Sequence, residues 1–519
     1  MNETAIPRII LLMKASTYRA PAFLAAAERL GVEVVQAFDT PRALTDPSDP
    51  LTTYARELPT GQASIPAAPA PQPARPSPAT QSATADETED VHLQLDFSDP
   101  DGAVATLRQF AADSAAAGRP LRAVLAVDDS GALLAARAGA ALGLPHNDAG
   151  AALAARDKYE MRARLAAGGL PTPPFSRFTT ADDPAAVAAT VAQSIGFPCV
   201  VKPLRRSGSQ GVMRADDAAE LQAAIARLAR ILGADAERKQ AYLVEGYLPG
   251  VEVALEGILI PPDTARVADS QVVHARETPV TGEGVRTGSG SVAGGLPGGV
   301  LRPNPAGPPS HLHLLALFDK PDPLDGPFFE ETIYLTPSRL PAESQKAVVD
   351  ATAAAAHALG LRRGPIHAEL RVNDNGAWLL EVAGRSIGGL CSRVLQFSLG
   401  EDEAGASLEE LILRQAAGME MGEAQREGAA RGVMMIPIPE GGILRGYDGV
   451  EAARAVAGIE EVEITARLHQ PITPLPEGDS YLGFIFARGE TPAAVETALR
   501  EAHGCLQFQI APLIPLRLQ

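Results

Sequence analysis

Between residues 367 and 385 the sequence reads His367-Ala-Glu369-Leu-Arg371-Val-Asn-Asp-Asn-Gly376-Ala-Trp-Leu-Leu-Glu381-Val-Ala-Gly-Arg385. Two strand-like runs flank residues 374–376, which predicts a hairpin with a three-residue loop and glycine in the left-handed conformation. With that loop, Asn373 faces Ala377. Glu369 then faces Glu381 directly across the ladder, where side chains lie about 5 Å apart and like charges are destabilising.

A divalent cation between the two carboxylates removes this repulsion. Mg²⁺ prefers hard oxygen ligands, usually binds one or two carboxylates, and completes its shell with water and phosphate oxygens. The pair Glu369 and Glu381 therefore indicates the metal-binding part of a nucleotide site. Two solvated charges on an outer face are the alternative. A two-residue loop would favour that alternative, because a register slip of one residue reverses the faces of a strand.

Length and composition indicate a multidomain cytoplasmic protein. A chain of 519 residues is long enough for roughly three to four domains. Its three cysteines are widely spaced, so we expect neither disulfides nor zinc and a reducing compartment. No signal-peptide pattern and no bilayer-spanning apolar run is found. The net charge of −18 argues against nucleic acid and anionic membranes as partners.

The first part of the chain alternates strand and helix patterns. A helical spacing at residues 20–30 lies among strand-like runs at 8–13, 31–35 and 121–127. This order predicts a parallel sheet covered by helices. Residues 59–90 are rich in Pro, Ala, Ser, Thr and Gln, which predicts a flexible insertion, and a second loose stretch is predicted at about 281–310.

Two lysines stand beside features that favour phosphate binding. Lys158 begins a helix after Asp157, and Lys202 ends a buried strand ahead of the loop Arg205-Arg206-Ser207-Gly208-Ser209-Gln210-Gly211. Backbone N–H groups of such a loop can close over phosphates while a lysine supplies a point charge. The GxxxxGK[ST] and GxGxxG fingerprints are absent. A surface turn beside a solvated lysine is therefore the alternative for this loop alone.

Six features in this order resemble the ATP-grasp superfamily. They are Lys158, Lys202 with its Ser/Gly loop, Val244-Glu245-Gly-Tyr-Leu248, Gly250-Val-Glu252, Glu369 and Glu381. Within the superfamily the chain looks most like the L-amino acid ligases and carnosine synthase, over about residues 8–400. That closer likeness extends through Asp157-Lys158, Phe318-Asp-Lys-Pro321, Phe329-Glu-Glu331, His367-Ala-Glu369 and Glu381-Val-Ala-Gly-Arg385.

The resemblance implies a multidomain fold of the α/β and α+β classes, in which two α+β subdomains clamp ATP. An N-terminal parallel-sheet (pre-ATP-grasp) domain would occupy residues 1–148. The ATP-grasp domain would occupy residues 149–425, and a separate C-terminal α+β domain residues 426–519.

The resemblance also implies which residues hold the nucleotide. Lys158 and Lys202 would contact the ATP phosphates. Glu245 and the backbone around Leu248 would lie at the adenine edge, and Glu252 would bind the ribose hydroxyls. The lid over the phosphates would be formed by Ser207, Gly208, Ser209 and Gly211.

Metal and catalytic roles follow from the same resemblance. Glu369 and Glu381 would hold Mg²⁺, two ions in this superfamily, with Mn²⁺ as the alternative metal. Arg385 would bind the carboxylate being activated, because a guanidinium fork fits planar oxyanions. His367 would lie close to that site, with a satisfied histidine inside a sheet as the alternative. Many ATP-grasp enzymes carry Asn where this chain has Ala383, which indicates either the amino acid ligase subfamily or weaker metal binding.

The segment 318–334 is long and rich in Pro and Phe. It is either a turn-rich surface loop or one wall of an acceptor pocket, with Glu330 or Glu331 near the nucleotide or the amine.

The activity implied is that of an ADP-forming carboxylate–amine ligase acting through an acyl phosphate. Its substrates would be small carboxylates and amines, with amino acids as the first expectation, and ligases of this kind are often homodimers. Three alternatives stay open. They are an ATP-grasp enzyme with a purine-biosynthetic or carboxylase-like acceptor, a non-catalytic nucleotide-binding protein, and a scaffold whose partner docks on residues 59–90.

Overall fold

The computed structural model describes residues 6–15, 17–40, 92–233, 239–262, 309–400 and 405–513. The predicted insertion at 59–90 and residues 281–308 of the second loose stretch lie outside these ranges. None of the helices in the described ranges combines the length and the apolar composition that a bilayer crossing requires.

The N-terminal sheet has four parallel strands in the order β3-β2-β1-β4, which confirms the predicted parallel sheet. The elements are β1 (Arg8–Lys14), α1 (Ala20–Leu30), β2 (Glu33–Asp39), β3 (His92–Leu95), α2 (Pro100–Ala116), β4 (Leu121–Ala126) and α3 (Ala132–Leu142). The run Ile9–Met13 is fully buried because alternate residues enter hydrophobic clusters on opposite faces of the sheet. Helices α4 (Ala149–Arg156) and α5 (Lys158–Ala167) follow.

Residues 175–246 form a separate layer that we call the small-sheet subdomain. Its antiparallel sheet has the order β5-β8-β6-β7. The elements are β5 (Phe175–Thr179), α6 (Pro184–Ser194), β6 (Cys199–Pro203), β7 (Met213–Ala215), α7 (Ala218–Ile231) and β8 (Ala241–Gly246). Helix α7 packs on the sheet through Leu221, Ile225 and Leu228, whose spacing places them on one helical face.

The central sheet has eight strands in the order β13-β12-β9-β10-β11-β17-β21-β19. The elements contributed by the middle of the chain are β9 (Val251–Ile260), β10 (His311–Asp319), β11 (Ile333–Thr336), α8 (Ala342–Leu359), β12 (Gly364–Asn373) and β13 (Gly376–Ala383). A 3₁₀ helix (Cys391–Val394), β14 (Gln396–Ser398), β15 (Ala406–Ser407), α9 (Leu408–Ala417) and β16 (Gln425–Arg426) come next.

The C-terminal segment shares the central sheet. Its elements are β17 (Ala430–Ile436), β18 (Gly442–Asp448), α10 (Val450–Arg454), β19 (Ile459–Ile464), β20 (Pro471–Ile472), β21 (Gly483–Gly489), α11 (Pro492–Cys505) and β22 (Gln507–Ala511). Strand β17 pairs with β11, so the central sheet contains strands from both sides of the boundary predicted at residue 426. The segment does add a sheet of its own, β20-β18-β22. The division into three domains stays a prediction.

The β12–β13 hairpin has the predicted pairing of Glu369 with Glu381, but it is reached by a different route. Asn373 pairs with Gly376, so the loop has two residues and the predicted three-residue loop is wrong. A bulge at Leu380, between two adjacent pairs of the ladder, adds one residue to β13. Because the bulge shifts the register by one residue, it restores the two glutamates to opposite positions.

Candidate active site

A cavity of about 760 Å³ lies where the N-terminal sheet, the small-sheet subdomain, the central sheet and the C-terminal segment meet. Most of the predicted site residues line it, namely Lys158, Lys202, Ser207, Gly208, Ser209, Glu245, Leu248, Glu252, His367, Glu369, Glu381 and Arg385. Gly211 is outside this lining, and its backbone N–H donates to the Pro476 carbonyl at 2.8 Å. The structure therefore gathers into one cavity residues that are more than two hundred positions apart in sequence.

Lys158 is fixed by the helix it begins. The Asp157 carboxylate caps α5 by accepting hydrogen bonds from the backbone of Tyr159 and Glu160. The Lys158 ammonium lies 2.9 Å from a Glu381 carboxylate oxygen and donates to the Arg206 carbonyl, also at 2.9 Å. The helix start thus connects the Ser/Gly loop to one member of the glutamate pair.

Lys202 is held by a buried carboxylate. Its ammonium lies 2.6 Å from Glu245 Oε1, and the Arg162 guanidinium donates to both oxygens of Glu245 at 2.6 and 3.2 Å. Burial alone raises the pKa of Glu245, but Arg162 and Lys202 outweigh it and lower the pKa to about 2. Since both oxygens are paired inside the protein, the Glu245 side chain positions Lys202. The place of Glu245 and the backbone around Leu248 at the adenine edge stays a prediction.

We expect Glu245→Gln to lower the free energy of unfolding at pH 7 by about 3 kcal/mol, because it leaves the buried Arg162 and the partly buried Lys202 without their counter-charge. The carboxylate has a depressed pKa, so its stabilisation is present above the ordinary value of 4.5 and is lost as the pH falls towards 2. The difference in the free energy of unfolding between wild type and variant should therefore become smaller between pH 4.5 and pH 2. Denaturant unfolding across pH measures it, with the exposed Glu501→Gln as control; a difference constant with pH would contradict the assignment.

The Ser/Gly loop turns through left-handed backbone at Gly208, Ser209 and Gly211, with φ of 61°, 52° and 74°. It is tied to the C-terminal segment, since Gln210 Nε2 donates to the Glu477 carbonyl at 2.7 Å. The Glu477 carboxylate also accepts two hydrogen bonds from Arg227 of the small-sheet subdomain, at 2.6 and 2.8 Å. The C-terminal segment therefore holds the loop and the subdomain together over the cavity.

Glu369 and Glu381 suit a hard divalent cation, because both carboxylates face the cavity from opposite positions of one hairpin. Burial raises the pKa of Glu369, but Lys320 and His367 outweigh it and hold the pKa well below its usual range. Glu369 is thus a carboxylate able to ligate a metal. Ala383 lines the same cavity and offers no ligand atom from its side chain.

Lys320 is a buried cation at this site to which sequence reasoning assigned no role. Its ammonium lies 2.9 Å from Glu252, 2.8 Å from Glu331 and 3.0 Å from Glu369. Arg371 donates to the second oxygen of Glu252 at 3.1 Å. The predicted ribose contact of Glu252 therefore involves a carboxylate already paired with two cations. Nothing in the spacing of these residues along the chain indicates that they meet.

His367 is buried between two carboxylates. Its Nδ1 lies 3.2 Å from Glu256 and its Nε2 lies 3.6 Å from Glu369. Burial lowers the pKa of the imidazole, but the two carboxylates outweigh it and raise the pKa to about 9. A histidine protonated at neutral pH cannot act as a base. This geometry favours a satisfied histidine that orients Glu369, and its predicted catalytic role stays untested.

Arg385 reaches the cavity from the end of β13 and is held by the N-terminal sheet. Its Nε donates to Asp129 at 2.9 Å, in the turn that follows β4, and its Nη1 donates to the Ser386 carbonyl at 2.9 Å. Burial lowers the pKa of the guanidinium, but Asp129 outweighs it and raises the pKa above its usual value. Arg385 therefore presents a fixed positive charge to the cavity.

The segment 318–334 forms a cavity wall through Phe329, Glu331 and Tyr334, whereas Glu330 is outside the lining. The Tyr334 hydroxyl donates to Glu331 at 2.7 Å. Burial and the neighbouring Glu369 raise the pKa of Glu331 to about 7 despite Lys320. The segment therefore lines the cavity, and its role as a wall of an acceptor pocket stays a prediction.

Two family models match parts of the chain. The ATP-grasp domain model matches residues 195–268 and 311–394, and the model "L-amino acid ligase C-terminal domain 2" matches residues 434–511. The uncharacterized protein y4rH of Sinorhizobium fredii is 25% identical over 370 residues, which are 70% of this chain and 63% of that protein. The chain thus spans less than two thirds of that relative's length.

Two further proteins are similar to the chain. The D-alanine–D-alanine ligase of Ralstonia pickettii is 26% identical over 278 residues, which are 53% of this chain and 67% of that enzyme. The crystal structure of an L-amino acid ligase from Bacillus licheniformis superposes with a TM-score of 0.67 and 22% identity, covering 97% of this chain and 99% of that one. At 22% identity the similarity to the Bacillus licheniformis enzyme shows the fold alone.

Residues 195–268 and 311–394 match the ATP-grasp domain model, and the chain has the ATP-grasp fold with an N-terminal parallel-sheet domain. Residues 434–511 match the model of an L-amino acid ligase C-terminal domain, so the predicted resemblance to the L-amino acid ligases is confirmed.

Proposed function

We propose that the chain is an ADP-forming carboxylate–amine ligase that condenses amino acids or similar small molecules through an acyl phosphate. One observation supports this most: a single cavity is lined by Arg385, by Lys158 and Lys202, and by the opposed pair Glu369 and Glu381. A carboxylate held by Arg385, and a triphosphate held by Lys158 and Lys202, would meet beside Glu369 and Glu381.

In this proposal the nucleotide end is formed by Lys158, Lys202 and the Ser/Gly loop. The two ammonium groups and the loop N–H groups would bind phosphate oxygens, and the backbone of residues 246–248 would bind the adenine edge. Glu369 and Glu381 would hold Mg²⁺, and two ions remain our expectation. When bound, Mg²⁺ supplies positive charge to the phosphoryl oxygens, where negative charge spreads during transfer.

The acid would be activated at Arg385. A carboxylate oxygen forms a bond to the γ-phosphorus, and the bond to the bridging oxygen of ADP breaks. The guanidinium fork, kept in place by Asp129, would orient the carboxylate and stabilise the acyl phosphate. Lys202 would neutralise charge on the transferred group, because Glu245 keeps its ammonium at the phosphate end.

The amine would attack from the wall formed by residues 318–334. Its nitrogen bonds to the acyl carbon, and inorganic phosphate leaves with the former carboxylate oxygen. Glu331 is our candidate for binding the amine and taking its proton, because its pKa lies near neutrality and Tyr334 fixes its orientation. The Ser/Gly loop would have to close, because water would otherwise hydrolyse the acyl phosphate.

We expect Glu477→Gln to loosen that closure modestly. The Arg227–Glu477 pair is partly exposed, with 35% and 41% of the side chains accessible, so water screens it. Its loss should cost about 1 kcal/mol at most, which corresponds to a rise of up to about fivefold in KM for ATP. Steady-state kinetics measures it, and Glu460→Gln, which removes the exposed pair with Arg431, is the matched control. Equal effects in both variants would contradict a role in closure.

The experiment that tests the proposed function is release of ADP and phosphate from Mg·ATP with a panel of amino acids, singly and in pairs, followed by mass spectrometry. ADP formed only with particular pairs, together with a product mass equal to the two minus water, would establish the ligase. ADP with one carboxylate and no condensed product would retain the acyl phosphate and change the acceptor. ATP binding without turnover on any substrate would contradict the proposal.

A further inference from the structure

Beneath the cavity wall, three carboxylates converge on one ammonium group. Ligand oxygens of Glu252, Glu331 and Glu369 lie within 4.8 Å of one another, a spacing that could hold a metal ion. The Lys320 ammonium is within 3.0 Å of each of them, and its side chain is only 2% exposed. We call Glu252, Glu331 and Glu369 the three-carboxylate cluster.

The charges around the cluster are balanced by the protein itself. Glu252 is also paired with Arg371, and Glu369 lies beside His367. Glu331 has Lys320 as its cationic partner within the described part of the chain. With these cations in place the cluster carries little net negative charge, so it offers a second cation little electrostatic attraction.

Lys320 differs from the carboxylates in where it lies. The three carboxylates line the cavity, whereas Lys320 is outside the lining and approaches them from the protein interior. It follows β10 directly, and its backbone N–H donates to the Glu252 carbonyl at 3.2 Å. The ammonium is therefore built into the sheet and fixes the cavity-facing carboxylates from behind.

We propose that Lys320 is a positioning residue that acts as the resident cation of the three-carboxylate cluster, excludes divalent metal from it, and confines metal binding to the Glu369–Glu381 side. The roles of these carboxylates rest on the proposed function, in which Glu252 serves the nucleotide, Glu369 the metal and Glu331 the amine. The single buried ammonium of Lys320 would then fix the positions of three carboxylates, each of which contacts a different ligand.

The test is a titration with Mn²⁺ in the absence of nucleotide. Binding is measured through the electron paramagnetic resonance signal of the free Mn²⁺. Lys320→Met keeps an unbranched side chain, one atom shorter, and removes its charge, so the variant should gain one Mn²⁺ bound at least about tenfold more tightly than by wild type. The double variant with Glu331→Gln should lose that ion. Lys346→Met, which removes an exposed helical charge, is the control and should bind as wild type does.

If Lys320→Met binds Mn²⁺ with the same affinity as wild type, the proposal is overturned. If that variant does not fold, anomalous scattering from wild-type crystals grown with Mn²⁺ and a non-hydrolysable ATP analogue decides the matter. Metal beside Glu369 and Glu381 with Lys320 still in the cluster supports the proposal, and metal among the three carboxylates overturns it. Neither measurement depends on turnover, so the proposed ligase activity can fail without deciding this result.

Discussion

Replacing Glu381 with glutamine should lower the rate of ADP formation by on the order of 10³-fold, with the fold intact. Glutamine keeps the size of the side chain and an oxygen able to accept from Lys158, which lies 2.9 Å from the carboxylate. It removes the negative charge opposite Glu369, and that charge is what a divalent cation on the hairpin requires. Coupled measurement of ADP release with saturating Mg·ATP and substrates checks the effect.

The control for this variant is Glu461→Gln, which removes an exposed glutamate from β19 outside the cavity. It should have wild-type activity, and circular dichroism and thermal unfolding should be alike for both variants. ADP formation by Glu381→Gln at the wild-type rate in the presence of Mg²⁺ would remove the metal assignment. Restoration of the rate by high Mg²⁺ would instead support it, since weakened binding is overcome by mass action.

The hairpin illustrates how far sequence reasoning reaches at this site. Alternating residues around 374–376 predict the two strands, and the pairing of Glu369 with Glu381 is confirmed. The observed two-residue loop and this pairing would be incompatible without the bulge at Leu380. A bulge changes the register without any distinctive residue at Leu380, so the pattern of apolar and polar residues does not reveal it.

Long-range ion pairs set the other limit of sequence reasoning. Lys158 and Arg162 are four residues apart on α5, a spacing that places them on one helical face and could have drawn attention to Arg162. The ion pairs made by Glu245 and by Lys320 gave no such signal, because they depend on how the sheets are brought together. Similarly, the parallel N-terminal sheet follows from local order, whereas the pairing of β11 with β17 joins segments about a hundred residues apart.

Replacing Arg385 with lysine should lower kcat/KM for the activated carboxylate by about 10³-fold, although the positive charge is retained. Lysine has no planar fork, so it cannot donate to Asp129 and Ser386 and still offer a bidentate edge to a substrate carboxylate. Trapping the acyl phosphate with hydroxylamine and measuring the hydroxamate isolates this step from amide formation. Affinity for a non-hydrolysable ATP analogue should stay that of wild type, because Lys158 and Lys202 are unchanged.

The matched control is Arg393→Lys, eight residues further along the chain, where the guanidinium is 40% exposed and pairs with surface glutamates. Asp129→Asn separates holding the guanidinium from binding the substrate. In Asp129→Asn the Arg385 guanidinium keeps its charge but loses its anchor on the N-terminal sheet. The loss in kcat/KM should therefore be smaller than that of Arg385→Lys and should fall mainly on KM for the acid. A normal KM for the acid in both variants would show that the carboxylate binds elsewhere. Equal losses in kcat/KM would show that the anchor and the fork act as one unit, with the N-terminal sheet as an obligatory part of the acid site.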